Sequence, residues 1–135
     1  MSTTPEVRSS KILFDGASAM IITSGRLTNA ASAQFGIVYV APCDLYIHSI
    51  SYYTDTEFTH ASSALTLGTL ADSDAYIDAV LLDTQVPGAY EVDMASASVV
   101  LRRIPKGTAF AFGLDAADTT GKLTATAVLV PYNPA

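Results

Sequence analysis

The chain has 135 residues, half of them hydrophobic and only 15% charged, with 7 Lys+Arg against 13 Asp+Glu for a net charge of -6. That size and composition describe one cored domain and exclude a disordered segment, which needs low hydrophobicity and high charge. A single cysteine, Cys43, excludes a disulfide-stapled scaffold, and no apolar run approaches the roughly 18 residues of a membrane span.

The start, Met1 to Ser10, lacks the apolar stretch of a signal peptide. The expectation is therefore a soluble domain made in a reducing compartment. Residues 1–10 hold no periodic apolar pattern and read as a flexible arm, with a β-sandwich domain over 11–135. Lys11-Ile-Leu-Phe14 is a short apolar run stopped by the turn pair Asp15-Gly16. Ala19–Thr23 is a strand closed by Ser24-Gly25. Residues 27–34 stand between a loop and a weak helix.

Phe35–Ala41 is β-branched and aromatic, which suits a strand, and Pro42 ends it. Leu45–Thr54 is the longest strand. Straight alternation puts Leu45, Ile47 and Tyr53 on one face and Tyr46, Ile50 and Tyr52 on the other, so both faces are partly apolar, as in a covered central strand. Asp55–Ser63 is polar and reads as a loop. Leu65–Leu70 alternates as a strand. Asp72–Leu82 is the one predicted helix: Asp72 or Ser73 caps it, Asp74 favours the positive end of the dipole, and Tyr76 and Val80, with Ile77 and Leu81, recur at helical spacing.

Gln85–Gly88 is a turn. Tyr90–Met94 alternates apolar and acidic, as a half-exposed strand does. Val99–Ile104 follows, then the turn Pro105–Gly107. Thr108–Leu114 places Phe110, Phe112 and Leu114 on a core face opposite Ala109, Ala111 and Gly113. Asp118–Gly121 is a second turn, and Leu123–Val130 is the closing strand. Eight or nine short strands at this spacing give an all-β fold, a single-domain antiparallel β-sandwich. The long crossovers favour jelly-roll or Greek-key wiring, with one short helix near 72–82.

All seven basic residues lie towards the ends of the chain, and between Leu27 and Leu101 there is no Lys or Arg but nine acidic residues. A nucleic-acid surface needs a basic stripe to replace phosphate counterions, so no nucleic acid is expected as a partner. An anionic membrane surface is disfavoured on the same ground. Ala, Ser and Thr supply 49 of the 135 residues, and so few charges on so apolar a chain point to a homo-oligomer or lattice contact.

Catalytic and metal-binding chemistry finds little support. His48 lies in the longest strand and reads as a packed or surface histidine. His60, beside Asp55 and Glu57 in one polar loop, would need further ligands from elsewhere to hold a metal. Asp72, Asp74 and Asp78 resemble a calcium loop only faintly, because Ile77 stands where such loops turn on glycine. Cys43 has no basic sequence neighbour to lower its pKa. No serine lies in a nucleophile-elbow frame, and there is no Gly-rich phosphate loop. The expectation is no enzyme, with no catalytic residue, metal or cofactor.

Three stretches carry a family resemblance: Leu45–Asp55; Leu65-Thr-Leu-Gly-Thr-Leu-Ala-Asp-Ser-Asp-Ala-Tyr-Ile77; and Ile104-Pro-Lys-Gly-Thr-Ala-Phe-Ala-Phe112 followed by Asp118–Tyr132. Together they resemble small β-sandwich structural proteins of tailed bacteriophages, of the capsid decoration, cement and head-fibre kind. The resemblance covers residues 36–132 and lies in turn and strand grammar. It implies a non-enzymatic virion protein, synthesised in the host bacterial cytoplasm and resident on the capsid surface. It further implies a homo-oligomer, with a trimer favoured, and the major capsid protein lattice as partner. Tyr39, Tyr46, Tyr52, Tyr53 and Tyr90 are the candidate interface residues, since tyrosine is enriched in interfaces. The competing expectation is a carbohydrate- or receptor-binding module of a phage fibre or tail, for which tyrosines supply stacking faces. A third, a cupin-type enzyme, lacks the histidines it needs.

Overall fold

The computed structural model describes residues 19–28, 34–59, 63–82, 86–115 and 121–131. The predicted arm at 1–10, the run at 11–14, His60 and residues 118–120 of the second turn lie outside the described residues. Among the described residues ten strands are formed: β1 Met20–Thr28, β2 Gln34–Phe35, β3 Tyr39–Val40, β4 Leu45–Thr56, β5 Ala64–Gly68, β6 Ile77–Leu81, β7 Gly88–Glu91, β8 Arg103–Ile104, β9 Ala109–Asp115 and β10 Lys122–Pro131.

They make two antiparallel sheets. One runs β1-β10-β4-β7, with β8 also on β4; the other runs β2-β9-β5-β6, with β3 also on β9. The pairings nest: β1 with β10, β2 and β3 with β9, β4 with β7 and β8, and β5 with β6. A chain wound on itself in this way is a jelly-roll sandwich. The core lies between the sheets, with Ile47, Leu45, Leu67, Phe110, Ile104, Leu123 and Leu129 sealed from solvent.

Two departures from straight alternation are bulges. At Ser24-Gly25 the chain does not stop. The register against β10 shifts between Thr23 and Arg26 and the strand continues to Thr28, as it does at a β-bulge. Ser24 Oγ accepts the Ala125 N–H at 2.9 Å, which ties the bulge to its neighbour. In β4 the partners step from Leu129↔Ile47 to Val128↔Ser49, leaving His48 unmatched. The inward residues therefore change parity, from Leu45 and Ile47 to Ile50, Tyr52 and Thr54. The apolar character of both alternation faces is this switch, and not a second covering layer.

The predicted strand at 35–41 is split into β2 and β3, both on β9. Between them Gly36 N–H donates to Phe112 O at 2.8 Å, and Ile37 N–H donates to Ser24 O at 3.0 Å. The interruption stitches the edge of the second sheet to the β1 bulge. The loop expected at 55–63 contains a core anchor. Phe58 is 1% exposed, and its ring lies so close over Gly121 that a β-carbon there would sit 2.0 Å from it.

The predicted helix at 72–82 is absent, and its sequence forms a tight turn and strand β6. Thr69 N–H and Ala75 N–H both donate to Asp72 O, and Tyr76 N–H donates to Leu67 O at 2.9 Å. The turn folds flat against Gly68, where a β-carbon would meet Asp72 O at 2.3 Å; only glycine admits this approach. The apolar residues that suggested a helical stripe are used differently. Ile77 and Val80 pair with Leu67 and Leu65 across the β5–β6 hairpin, and two- to three-turn helices are weak without tertiary support. In β9 the expected face holds: Phe110, Phe112 and Leu114 are buried.

Candidate interaction surface

The five tyrosines are not gathered into one patch. Tyr39, on β3, donates its hydroxyl hydrogen to Thr23 O at 2.9 Å and accepts Thr23 N–H at 3.3 Å. Its ring tilts onto Phe110 with centroids 6.1 Å apart. This residue clamps the edges of the two sheets. Tyr52 is 4% exposed in the core and stacks on Tyr90 at 5.4 Å. Tyr90 donates its hydroxyl hydrogen to Val86 O. Tyr46 is half-buried beneath the Arg102 guanidinium, whose Cζ lies 4.6 Å from the ring centroid. Tyr53 alone of the five has an open face, at 54% exposure. It stands in the outer row Arg26–Thr124–Tyr53–Ala89 of the first sheet.

Near the start of β4, residues 102–106 form the most basic part of the described fold. Arg102 donates from Nε to Ile47 O at 3.0 Å and from Nη2 to His48 O at 3.1 Å, spanning the point where the bulge leaves His48 unmatched. Arg103 Nη2 pairs with Asp44 Oδ2 at 2.9 Å, and Lys106 N–H donates to Asp44 Oδ1 at 2.8 Å. Those two hydrogen bonds, the Lys106 amide first, hold the Asp44 carboxyl below its ordinary value. Cys43, half-buried beside it, has its thiol pushed up by burial and by the Asp44 charge, against a smaller opposing pull from Lys106. A thiol so placed stays protonated and is a poor nucleophile.

Asp72, Asp74 and Asp78 are exposed. Hydrogen bonding with Asp74, then burial, then the charges of Asp74 and Asp78, push the Asp72 carboxyl up. Asp74 is held down by hydrogen bonds from Asp72 and Asp78. Among the described residues no group of three or more His, Cys, Asp or Glu is arranged to hold a metal ion. His48 stands exposed at the β4 bulge.

Exposed apolar side chains, which sequence reasoning did not single out, include Ile21, Leu81 and Val86, each standing apart, and Leu70 beside the acidic turn. Phe35, Ile37, Val38 and Val40 lie along the β2–β3 edge, and Val100 and Leu101 lie where the chain crosses between sheets. Their signal in the sequence is the density of large apolar residues in runs too short to be buried on both faces, as in Val99-Val-Leu101.

No protein-family model and no curated protein matches this chain. Among solved structures its fold is similar to that of a chain of the cyanophage Pam1 capsid asymmetric unit, with a TM-score of 0.54 at 12% identity. The match covers 87% of this chain and 88% of that chain. At that identity the likeness is one of fold. Among the described residues no helix is long and apolar enough to cross a membrane.

Proposed function

We propose that this chain is a non-enzymatic structural protein of a phage virion, of the capsid decoration or cement kind, which binds the assembled capsid lattice and stabilises it. The observation that carries this reading is the near end-to-end likeness to a chain of a phage capsid asymmetric unit. The match spans almost equal shares of both chains, so it relates two chains of about the same length.

The mechanism is linkage. A protein that binds only the assembled shell stabilises it by mass action, by about 2.7 kcal/mol when its free concentration is a hundred times the dissociation constant. The chain is made in the bacterial cytoplasm, joins the capsid surface, and acts as a homo-oligomer for which a trimer is the favoured form. Tyr53 is the tyrosine with a face to offer the lattice.

The test is co-sedimentation of the purified chain with shells assembled from the major capsid protein of the same genome. Saturable binding at a fixed ratio and a raised shell melting temperature are expected. Shells that neither bind the chain nor gain stability, together with specific retention on a glycan array, would replace this reading with a carbohydrate- or receptor-binding module.

A further inference from the structure

Residues 98–102 carry the chain from the edge of the second sheet to the edge of the first. Asp78 N–H donates to Ser98 O at 2.8 Å, and Val100 and Leu101 N–H both donate to Tyr76 O. Ile77 bridges Val99. One residue on, Ile47 N–H donates to Arg102 O at 2.8 Å, on β4 of the other sheet. This crossing divides one corner of the sandwich by charge. On the β6 side lies the turn with the exposed carboxylates of Asp72 and Asp74; on the β4 side lie Arg103 and Lys106, both exposed. Between them Val100 and Leu101 are 60% and 51% exposed, and Leu70, on the acidic turn, is 56% exposed.

We propose that this corner is where copies of the chain join, the acidic turn of one copy lying against the Arg103–Lys106 segment of the next with the apolar strip closed between them. The inference builds on the proposed virion role by naming the surface that makes the oligomer. The argument for a second copy as occupant is complementarity. A partner of one charge would suit only half of the corner, whereas another copy presents the opposite sign to each half and an apolar strip to the strip. A self-complementary contact of this kind closes as a two-fold dimer or, repeated head to tail, as a ring. Opposed charges at its rim set orientation and disfavour other partners, while the desolvated apolar centre supplies most of the affinity.

The experiment measures the absolute mass of the full chain by light scattering over a range of concentrations, with far-UV circular dichroism on every variant. The native chain is expected to run as a small closed oligomer. Asp74→Lys and Lys106→Glu alone each weaken association by about tenfold or more. The double variant Asp74→Lys/Lys106→Glu, which exchanges the two signs, recovers it. Leu101→Ser, at an exposed position that leaves the core intact, dissociates the oligomer without changing the fold. A native chain monomeric at every concentration overturns the proposal. So do single variants with unchanged mass, or a double variant no better than the singles. Shell binding is measured on the same samples. An oligomer that ignores shells sinks the virion reading and leaves this interface standing, and a monomer that binds them does the reverse.

Discussion

Thr54 and Asp44 show how differently two polar side chains are settled in this fold. Thr54 is fully buried on β4, and its Oγ1 has no hydrogen-bond partner among the described residues. A buried hydroxyl without a partner forfeits its solvation and gains nothing in return. Thr54→Val keeps the shape and removes that cost. We expect the variant to be more stable by about 1 kcal/mol, a rise in melting temperature of roughly 4 °C; a fall would show that the hydroxyl is satisfied. Asp44 is satisfied twice, by the Lys106 amide and the Arg103 guanidinium. Because its native pKa lies below the unfolded value, its contribution is present above the ordinary carboxylate range and is lost as pH falls through the lowered native value. Asp44→Asn is therefore expected to melt lower than the native chain at neutral pH, with the gap closing on acidification. A gap independent of pH would assign the effect to packing. Neither outcome is readable from the sequence, where Thr54 is one more strand threonine and Asp44 one more loop acid.

Strands and turns divide by whether local chemistry and tertiary pairing agree. The turn at Pro105–Gly107 and strands β9 and β10 follow from Pro and Gly placement and from period-two alternation, because nothing distant contradicts them. The segment 72–82 was misleading because an acidic cap and an i, i+4 apolar pair are local signals, while hairpin pairing to β5 is not local; pairing prevails in a short element. The β4 bulge is invisible for another reason. Nothing at His48 marks a missed register, and the residue that makes the bulge affordable, Arg102, lies 54 positions away. Arg102 is the element's lock, with two charge-assisted bonds to the Ile47 and His48 carbonyls and a face on the Tyr46 ring. Arg102→Ala should cost about 1–3 kcal/mol. Arg102→Lys should recover little, since an ammonium lacks the planar fork that reaches both carbonyls. Chemical denaturation of the pair decides it: a lysine variant as stable as the native chain would reduce the role of Arg102 to its charge. Of the interface candidates, the aromatic residues were visible but their orientation was not, since the parity switch at His48 sends Tyr52 inward and Tyr53 outward.

At the scale of the molecule, the nested wiring places the last strand in the middle of the first sheet. β10 is bonded to β1 along nearly its whole length on one side and to β4 on the other, and its residues Leu123, Ala125, Ala127 and Leu129 are sealed in the core. The fold therefore closes only when distant parts of the chain meet, the circumstance in which loop-closure entropy must be met before contacts repay it. Refolding is expected in the range of roughly milliseconds to seconds typical of β-sandwiches, well behind helical proteins of this size. The same geometry makes the strand indispensable. Truncating its two leucines alone would cost about 2–5 kcal/mol each, against a total stability of about 5–15 kcal/mol, before the two hydrogen-bond ladders are counted. A chain ending at residue 121 should thus show no cooperative unfolding transition by circular dichroism. It should recover one when a peptide of residues 122–131 is added, because that peptide fills a slot with partners on both edges. A cooperative transition in the shortened chain alone would mean that β1 and β4 can close on each other, and that the central position of β10 is not what holds the first sheet together.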